Sequence, residues 1–194
     1  VNPSTMTWRR VIDLNDKGLA HIVSGLDNVP QAPLRETGFD LTAASEIMAI
    51  LALADSLTDL RQRLGRIIVA ESQTGEPVSA NDIGVTGAML ALLRDAIRPN
   101  LVQTCEGTPA IVHAGPFANI AHGNSSVLAD LTAIQLADFV VTESGFGSDC
   151  GAEKLLNIKS RISRLRPDVE GDLLGLFPVA AFHRVTQREQ RPRS

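Results

Sequence analysis

The stretch TPAIVHAGPFANIAHGNSSVLADLTAIQLADFVVTESGFGSDCGAEKLLNIK, residues 108–159, decides how the chain is read. It runs as apolar segment, Gly-containing loop, amphipathic segment, apolar segment and Gly-containing loop. The first apolar run, Ala110-Ile111-Val112, stops at His113 and Gly115, and the second, Phe139-Val140-Val141, stops at Thr142, Glu143 and Gly145. Short apolar runs that end in Gly and are separated by a helical period predict two parallel strands joined by a crossover helix. Ligands of such sheets sit at the carboxyl ends of the strands, so the polar clusters 113–124 and 142–154 mark the expected site. Ser125 is placed to cap the intervening helix, which turns Val127, Leu128, Leu131 and Ile134 to the sheet.

Upstream, Arg66 to Ala70 reads as a strand, Gln73-Thr74-Gly75 as a turn and Pro77-Val78 as a short edge strand, where Pro is tolerated. Before it, Asp40 or Thr42 can cap a helix through Ala43 to Ala54, apolar nearly all round and so buried on more than one side. Ser56 to Asp59 opens a second helix with a capping-box pattern, and Ser79 to Asp82 repeats that pattern ahead of an amphipathic helix from Thr86 to Ile97 that must stop before Pro99. Residues 4–24 space Trp8, Val11, Ile12, Leu19 and Ile22 as a helical face, interrupted at Gly18. A loop carrying Gly25, Pro30 and Pro33 follows. From Asp168 the periodicity fades, and the basic, Pro-containing end predicts a frayed tail.

The bulk numbers narrow the class. A chain of 194 residues, 44% hydrophobic and 21% charged, has enough length for one core and the balance of a soluble globular protein. A net charge of −4 with no basic stripe argues against nucleic acid as a partner. Cys105 and Cys150 form neither a disulfide framework nor a zinc motif, which favours a reducing compartment, and no run of membrane-spanning length occurs.

Taken together, HAGPFANIAHGNSS and VVTESGFGSDCGAEK are similar to the formate–tetrahydrofolate ligase family, including the synthetase part of trifunctional folate enzymes. TWRRVIDLND, FDLTAASEIMAILALA, LRQRLGRIIVA and DIGVTGAMLALLRDAIRPNLVQTCEGTP resemble the same family in the same order, so the likeness runs from Val1 to Pro167. It implies an α/β fold: part of a P-loop-type nucleotide domain with mainly parallel strands, plus an inserted α/β subdomain. Residues 1–25 would give a nucleotide-domain helix, 26–100 the insertion, 101–166 the nucleotide-domain strands, helices and site loops, and 167–194 a divergent tail. The implied reaction joins formate to tetrahydrofolate at the expense of ATP, giving 10-formyltetrahydrofolate through formyl phosphate. ATP, Mg²⁺ and tetrahydrofolate are the implied cofactors and substrates, with a monovalent cation in addition. The family likeness also implies a homo-oligomer for the full-length enzyme and a cytoplasmic or mitochondrial setting.

Two departures matter. No G-x-x-x-x-G-K-S/T occurs, and the family's continuation after Pro167 is replaced by VEGDLLGLFPVAAF. The expectation is an interior fragment, inactive by itself, since positioning and electrostatics supply nearly all phosphoryl-transfer catalysis. A non-catalytic remnant that associates with intact synthetase through an exposed sheet edge is the rival reading, and a P-loop ATPase with another substrate is a third.

Candidate site residues each have a functional and a plain reading. Glu143, at a strand end, suits Mg²⁺, which takes hard oxygen ligands alongside phosphates; otherwise it is a solvated acid. Gly145 and Gly147 can bring backbone N–H groups to an anion or simply make a turn. Lys154 and Lys159 can meet phosphate or a folate glutamate tail, or lie solvated on a helix. His113 and His122 can orient formate or formyl phosphate, move a proton off the folate amine, hold a zinc ion as a pair, or be hydrogen-bonded core histidines. Asn119 and Asn124 can donate to a developing oxyanion or shape the loop, and Asp149 can cap a helix.

Overall fold

The computed structural model describes residues 1–27, 30, 32–172 and 179–184. The strands are β1 (Arg10–Ile12), β2 (Ile22–Ser24), β3 (Arg35–Thr37), β4 (Phe39–Leu41), β5 (Ile68–Glu71), β6 (Pro77–Ser79), β7 (Asn100–Gln103), β8 (Pro109–Val112), β9 (Phe139–Ser144), β10 (Val169–Asp172) and β11 (Val179–Arg184). The helices are α1 (Glu46–Leu53), α2 (Leu57–Gly65), α3 (Thr86–Leu93), α4 (Val127–Leu136) and α5 (Ser160–Ser163). The fold is mixed α/β. Among the described residues β1 and β4 form the one parallel ladder, and the other five ladders are antiparallel.

That balance departs from the mainly parallel sheet expected from the sequence. β8 hydrogen-bonds β7 in a hairpin, and β9 hydrogen-bonds β11, so the two runs that open the sequence reading share no ladder. They do share α4, which leaves β8, packs on both strands and delivers the chain to β9. The strand–helix–strand order is therefore present, but β8 and β9 stand on either side of a groove rather than side by side. The β7 strand was not expected. Its partner β8 and the tight loop Thr104–Thr108, with Gly107 at φ 86°, make it a hairpin arm.

One apolar core holds α1, α2, α3 and the β5–β6 hairpin together. Leu51, Ala54, Leu60, Leu64, Ile67, Val69 and Ile97 are buried in it, with Trp8, Met89, Leu93 and Leu128 packed at its edge. The sequence places these elements well because their caps are local. Ser56 Oγ accepts the Asp59 N–H at 3.1 Å to start α2. α1 packs on both α2 and α4, as its two-sided hydrophobicity demands. Three cap assignments move. Ser45, not Asp40 or Thr42, caps α1 through the Met48 N–H; Ser126, not Ser125, caps α4; and Ser79 with Asp82 closes a turn, leaving α3 without a side-chain cap. A cap must accept from the N–H two or three residues ahead, and only these serines stand at that offset.

Residues 4–24 are not the expected helix. They form 3₁₀ turns, β1 and β2. Asp16 accepts the Gly18 N–H and folds a turn there, while β1 is captured by β4 and β2 by β3. Thr7 N–H reaches the Val69 carbonyl at 3.1 Å, which lays the segment beside β5. Tertiary pairing thus overrides the helical spacing of its apolar residues. Of the divergent tail, β10 and β11 are strands, and residues 173–178 and 185–194 lie outside the described residues.

Leu64 is fully buried in this core, so Leu64→Ala should lower unfolding stability by about 2–5 kcal/mol, read as a lower urea midpoint at unchanged slope.

Candidate functional site

The site is built where β8 and β9 end. At β8, buried His113 is held through both ring nitrogens. Nε2 is 2.7 Å from the Ala96 carbonyl, and Nδ1 is 2.6 Å from Ser126 Oγ. A carbonyl can only accept, so Nε2 carries a proton, while Nδ1 is hydrogen-bonded to the Ser126 hydroxyl. Ser126 Oγ in turn accepts the Ala129 N–H at 2.9 Å and caps α4. Both ring nitrogens of His113 are thereby committed to protein partners, with none left for a substrate. This geometry supports its structural reading, although its residue lines the groove.

β9 alternates strictly. Val140, Thr142 and Ser144 are buried, while Phe139, Val141 and Glu143 are exposed. Its carboxyl end is tied to the loop after β8: Gly145 donates its N–H to the Gly123 carbonyl at 2.8 Å, and Asn124 Nδ2 donates to Ser144 Oγ at 2.7 Å. Gly145 therefore spends its N–H on the loop and cannot also offer it to an anion. Gly123 is left-handed at φ 66°, and a Cβ there would overlap the Ala118 methyl, so only glycine closes this contact. Two residues with side chains, Ala114 at φ 52° and Phe146 at φ 67°, hold the same left-handed backbone just past β8 and β9. Such conformations cost about 1–3 kcal/mol each and persist where the surroundings impose them, most often at functional sites.

Beyond Gly147 the chain makes two π-helical turns, Ser148–Ala152 and Leu155–Lys159. Lys154 Nζ donates to the carbonyls of Ala118 and Ala121 and caps the short turn beneath them. Lys159 is buried, with its Nζ 2.6 Å from Asp130 Oδ2 on α4. Burial pushes the Lys159 pKa down, and the Asp130 carboxylate opposes that shift. His122 lies close enough to feel both ammonium groups. Burial first, and then the charges of Lys159 and Lys154, push its pKa down to about 4, so the ring is neutral at pH 7. Its Nε2 has no hydrogen-bond partner among the described residues.

These elements bound a groove of about 760 Å³. β8 and β9 form its walls, Ala129, Asp130 and Ala133 of α4 its floor, and His113, Asn124, Glu143 and Gly145 its rim. Asn124 Oδ1 and Thr142 Oγ1 are buried atoms that lack a partner among the described residues, and both residues line the groove. Of the residues singled out in the sequence, His113, Asn124, Glu143 and Gly145 share this groove, whereas His122 is buried next to it. Asn119 is exposed on the 117–121 turn, and Gly147 and Lys154 do not line the groove. Sequence reasoning missed Thr142, Ser126 and Asp130. The only available signals were a polar residue on the inward register of β9, the cap offset, and an acid on the apolar face of α4.

Among the described residues no three His, Cys, Asp or Glu side chains lie together as a metal site. Glu143 is exposed at the rim and fits Mg²⁺ as a single carboxylate ligand, since that ion keeps waters and takes one or two carboxylates beside phosphate. No helix among the described residues is long and apolar enough to cross a membrane.

The molecule is an α/β protein with a strand-walled groove closed at one rim by polar loops, and Asn124 and Thr142 are among the residues that line it. The formate–tetrahydrofolate ligase family model matches residues 1–170, and the chain belongs to that family. Its relatives include formate–tetrahydrofolate ligase 3 of Rubrobacter xylanophilus, 59% identical over 168 residues, and the ligase of Saccharopolyspora erythraea, 58% identical over 168. The human mitochondrial monofunctional C1-tetrahydrofolate synthase is 58% identical over 172 residues. Each match covers 87% of this chain but only 29%, 30% and 18% of the respective relative.

The depressed His122 pKa fixes a sign for stability against pH. Between about 6.5 and about 4 the unfolded chain binds a proton that the folded chain refuses, so stability is complete above that window and falls as pH drops through it. The loss approaches roughly 3 kcal/mol by pH 4. Urea unfolding followed across pH 4–7 should show the decline, and the His122 ring protons should titrate near pH 4 by NMR.

Proposed function

We propose that this chain supplies the strand-end loops of an ATP-dependent ligase that joins formate to tetrahydrofolate, giving 10-formyltetrahydrofolate, ADP and phosphate by way of formyl phosphate. The observation that supports the reading is that Asn124 and Thr142, each with a buried polar atom that has no partner among the described residues, line one groove with the exposed residue Glu143. Buried polar atoms without partners cost free energy, which a polar ligand recovers.

Each residue has a role set by its chemistry. The Thr142 hydroxyl can donate to a ligand oxygen, and Asn124 Oδ1 can accept from a ligand O–H or N–H; its amide nitrogen is already given to Ser144. The Glu143 carboxylate is suited to Mg²⁺, which when bound with nucleotide neutralises phosphate charge. His122, neutral with a low pKa, is a poor base at pH 7 and serves as a hydrogen-bonding, orienting group rather than a proton carrier. His113 and Lys154 shape the loops, since their polar atoms are committed to protein partners.

The 194 residues contain no G-x-x-x-x-G-K-S/T cradle to position a γ-phosphate. Purified chain incubated with ATP, formate and tetrahydrofolate should therefore form 10-formyltetrahydrofolate no faster than buffer, and turnover at about 1 s⁻¹ or more would refute this. The site reading has its own test. The equivalents of Thr142→Val and Asn124→Ala, placed in the full-length Saccharopolyspora ligase, should each lower kcat/KM by about 10²-fold. Values within threefold of the parent would remove both residues from the mechanism.

A further inference from the structure

We propose that β11 is a built-in shield: a strand from beyond the family match that occupies the outer edge of β9 and keeps two copies of this chain from pairing through that edge. The inference rests on family membership and on strand pairing, and it is independent of the roles given to the groove. Association through an exposed sheet edge then becomes something this chain suppresses in itself.

Two boundaries carry the argument. The family model matches residues 1–170, so β9 lies wholly within the match and β11, Val179–Arg184, wholly beyond it. Yet the two strands pair antiparallel over six residues, from Val179 opposite Ser144 to Arg184 opposite Phe139. No other ladder among the described residues exceeds four pairs. The longest ladder described therefore joins a family strand to residues outside the match.

The covered edge is a particular one. Ser144 pairs with Val179 on one side and bridges Asn124, from the loop after β8, on the other. β11 thus takes the edge that faces away from that loop. β10 backs it, with Val169–Asp172 paired to Val179–Phe182, so β11 is the middle strand of three and is held extended from both sides.

Bare, this edge would be a hazard. Phe139-Val140-Val141-Thr142 is an uncharged run of aromatic and β-branched residues, the composition that favours strands. Phe139 and Val141 are 69% and 60% exposed. β9 has no Lys, no Pro and no break in register, the features that blunt an edge. The occupant it would attract is a second β9. An antiparallel edge can meet its own copy across a two-fold axis, the isologous contact of most dimers. Full overlap sets Phe139 opposite Ser144, Val140 opposite Glu143 and Val141 opposite Thr142, so no like charges face each other. Tethering settles the competition. A strand on the same chain is present at an effective concentration on the order of 1 mM, about a thousandfold above a second copy at micromolar concentration.

The test uses the full 194-residue chain and its Ala180→Pro/Ala181→Pro double variant. Adjacent prolines remove a backbone donor on each side of β11 and break both ladders. The parent should stay monomeric by light scattering from micromolar to near-millimolar concentration, with residues 140–143 protected from hydrogen exchange. In the double variant those residues should exchange at least tenfold faster when dilute, and should regain protection as a dimer forms when concentrated. Val141→Lys added to that variant brings two ammonium groups to the two-fold axis and should restore the monomer. Exchange in α2 and β5 should match the parent throughout. The proposal is overturned if the double variant stays monomeric at the higher concentration, if the parent dimerises through β9 as readily, or if Val141→Lys leaves the dimer intact. Faster exchange in α2 or β5 also overturns it, because β11 would then be holding the core and not covering an edge. So does capture of the double variant by the full-length Saccharopolyspora ligase in preference to its own copies, since the partner would then be the enzyme.

Discussion

A single hydroxyl organises the site. Ser126 Oγ caps α4, holds His113 through Nδ1, and through that ring reaches the Ala96 carbonyl just past α3. The three hydrogen bonds fix where β8 stops, where α4 begins and how both sit on the helical core. Every atom in the relay is spent, so it acts as scaffold and not as chemistry. The loop 113–124 carries unpaired polar atoms above a root held by hydrogen bonds at His113.

The sequence made the helices and the β5–β6 hairpin legible, since their signals are local: caps at fixed offsets, a turn at Gly75, apolar faces at helical spacing. It made the order of β8, α4 and β9 legible too. It misled where the outcome depended on distant partners. The apolar spacing of residues 4–24 suits a helix in isolation, but β3, β4 and β5 capture that segment as extended chain. β8 and β9 read as neighbours because nothing local shows that each pairs in a different sheet. At the site, Glu143 and Asn124 were visible as strand-end polar residues. Thr142 was not weighed as a ligand contact because its inward register shows only once β9 is paired.

Charge is concentrated beneath the loops. Asp130 and Lys159 tie α4 to the π-helical segment, and a buried ion pair of this kind adds less to stability than to register, because desolvation offsets most of its attraction. Burial first, and then the ammonium groups of Lys159 and Lys154, keep His122 uncharged. The rim of the groove carries Asn124, Gly145 and the exposed residue Glu143.

The junction of the two loops is made of the smallest residues in the chain. Ala118, Gly123, Gly145 and Gly151 meet through methyl, methylene and carbonyl groups so closely that a Cβ on any of the three glycines would collide. Contact of that sort contains nothing to ionise and no rotamer to adjust. The width of this contact is set by backbone and methyl atoms, so the two loops meet as a fixed gauge that only the backbone can reset.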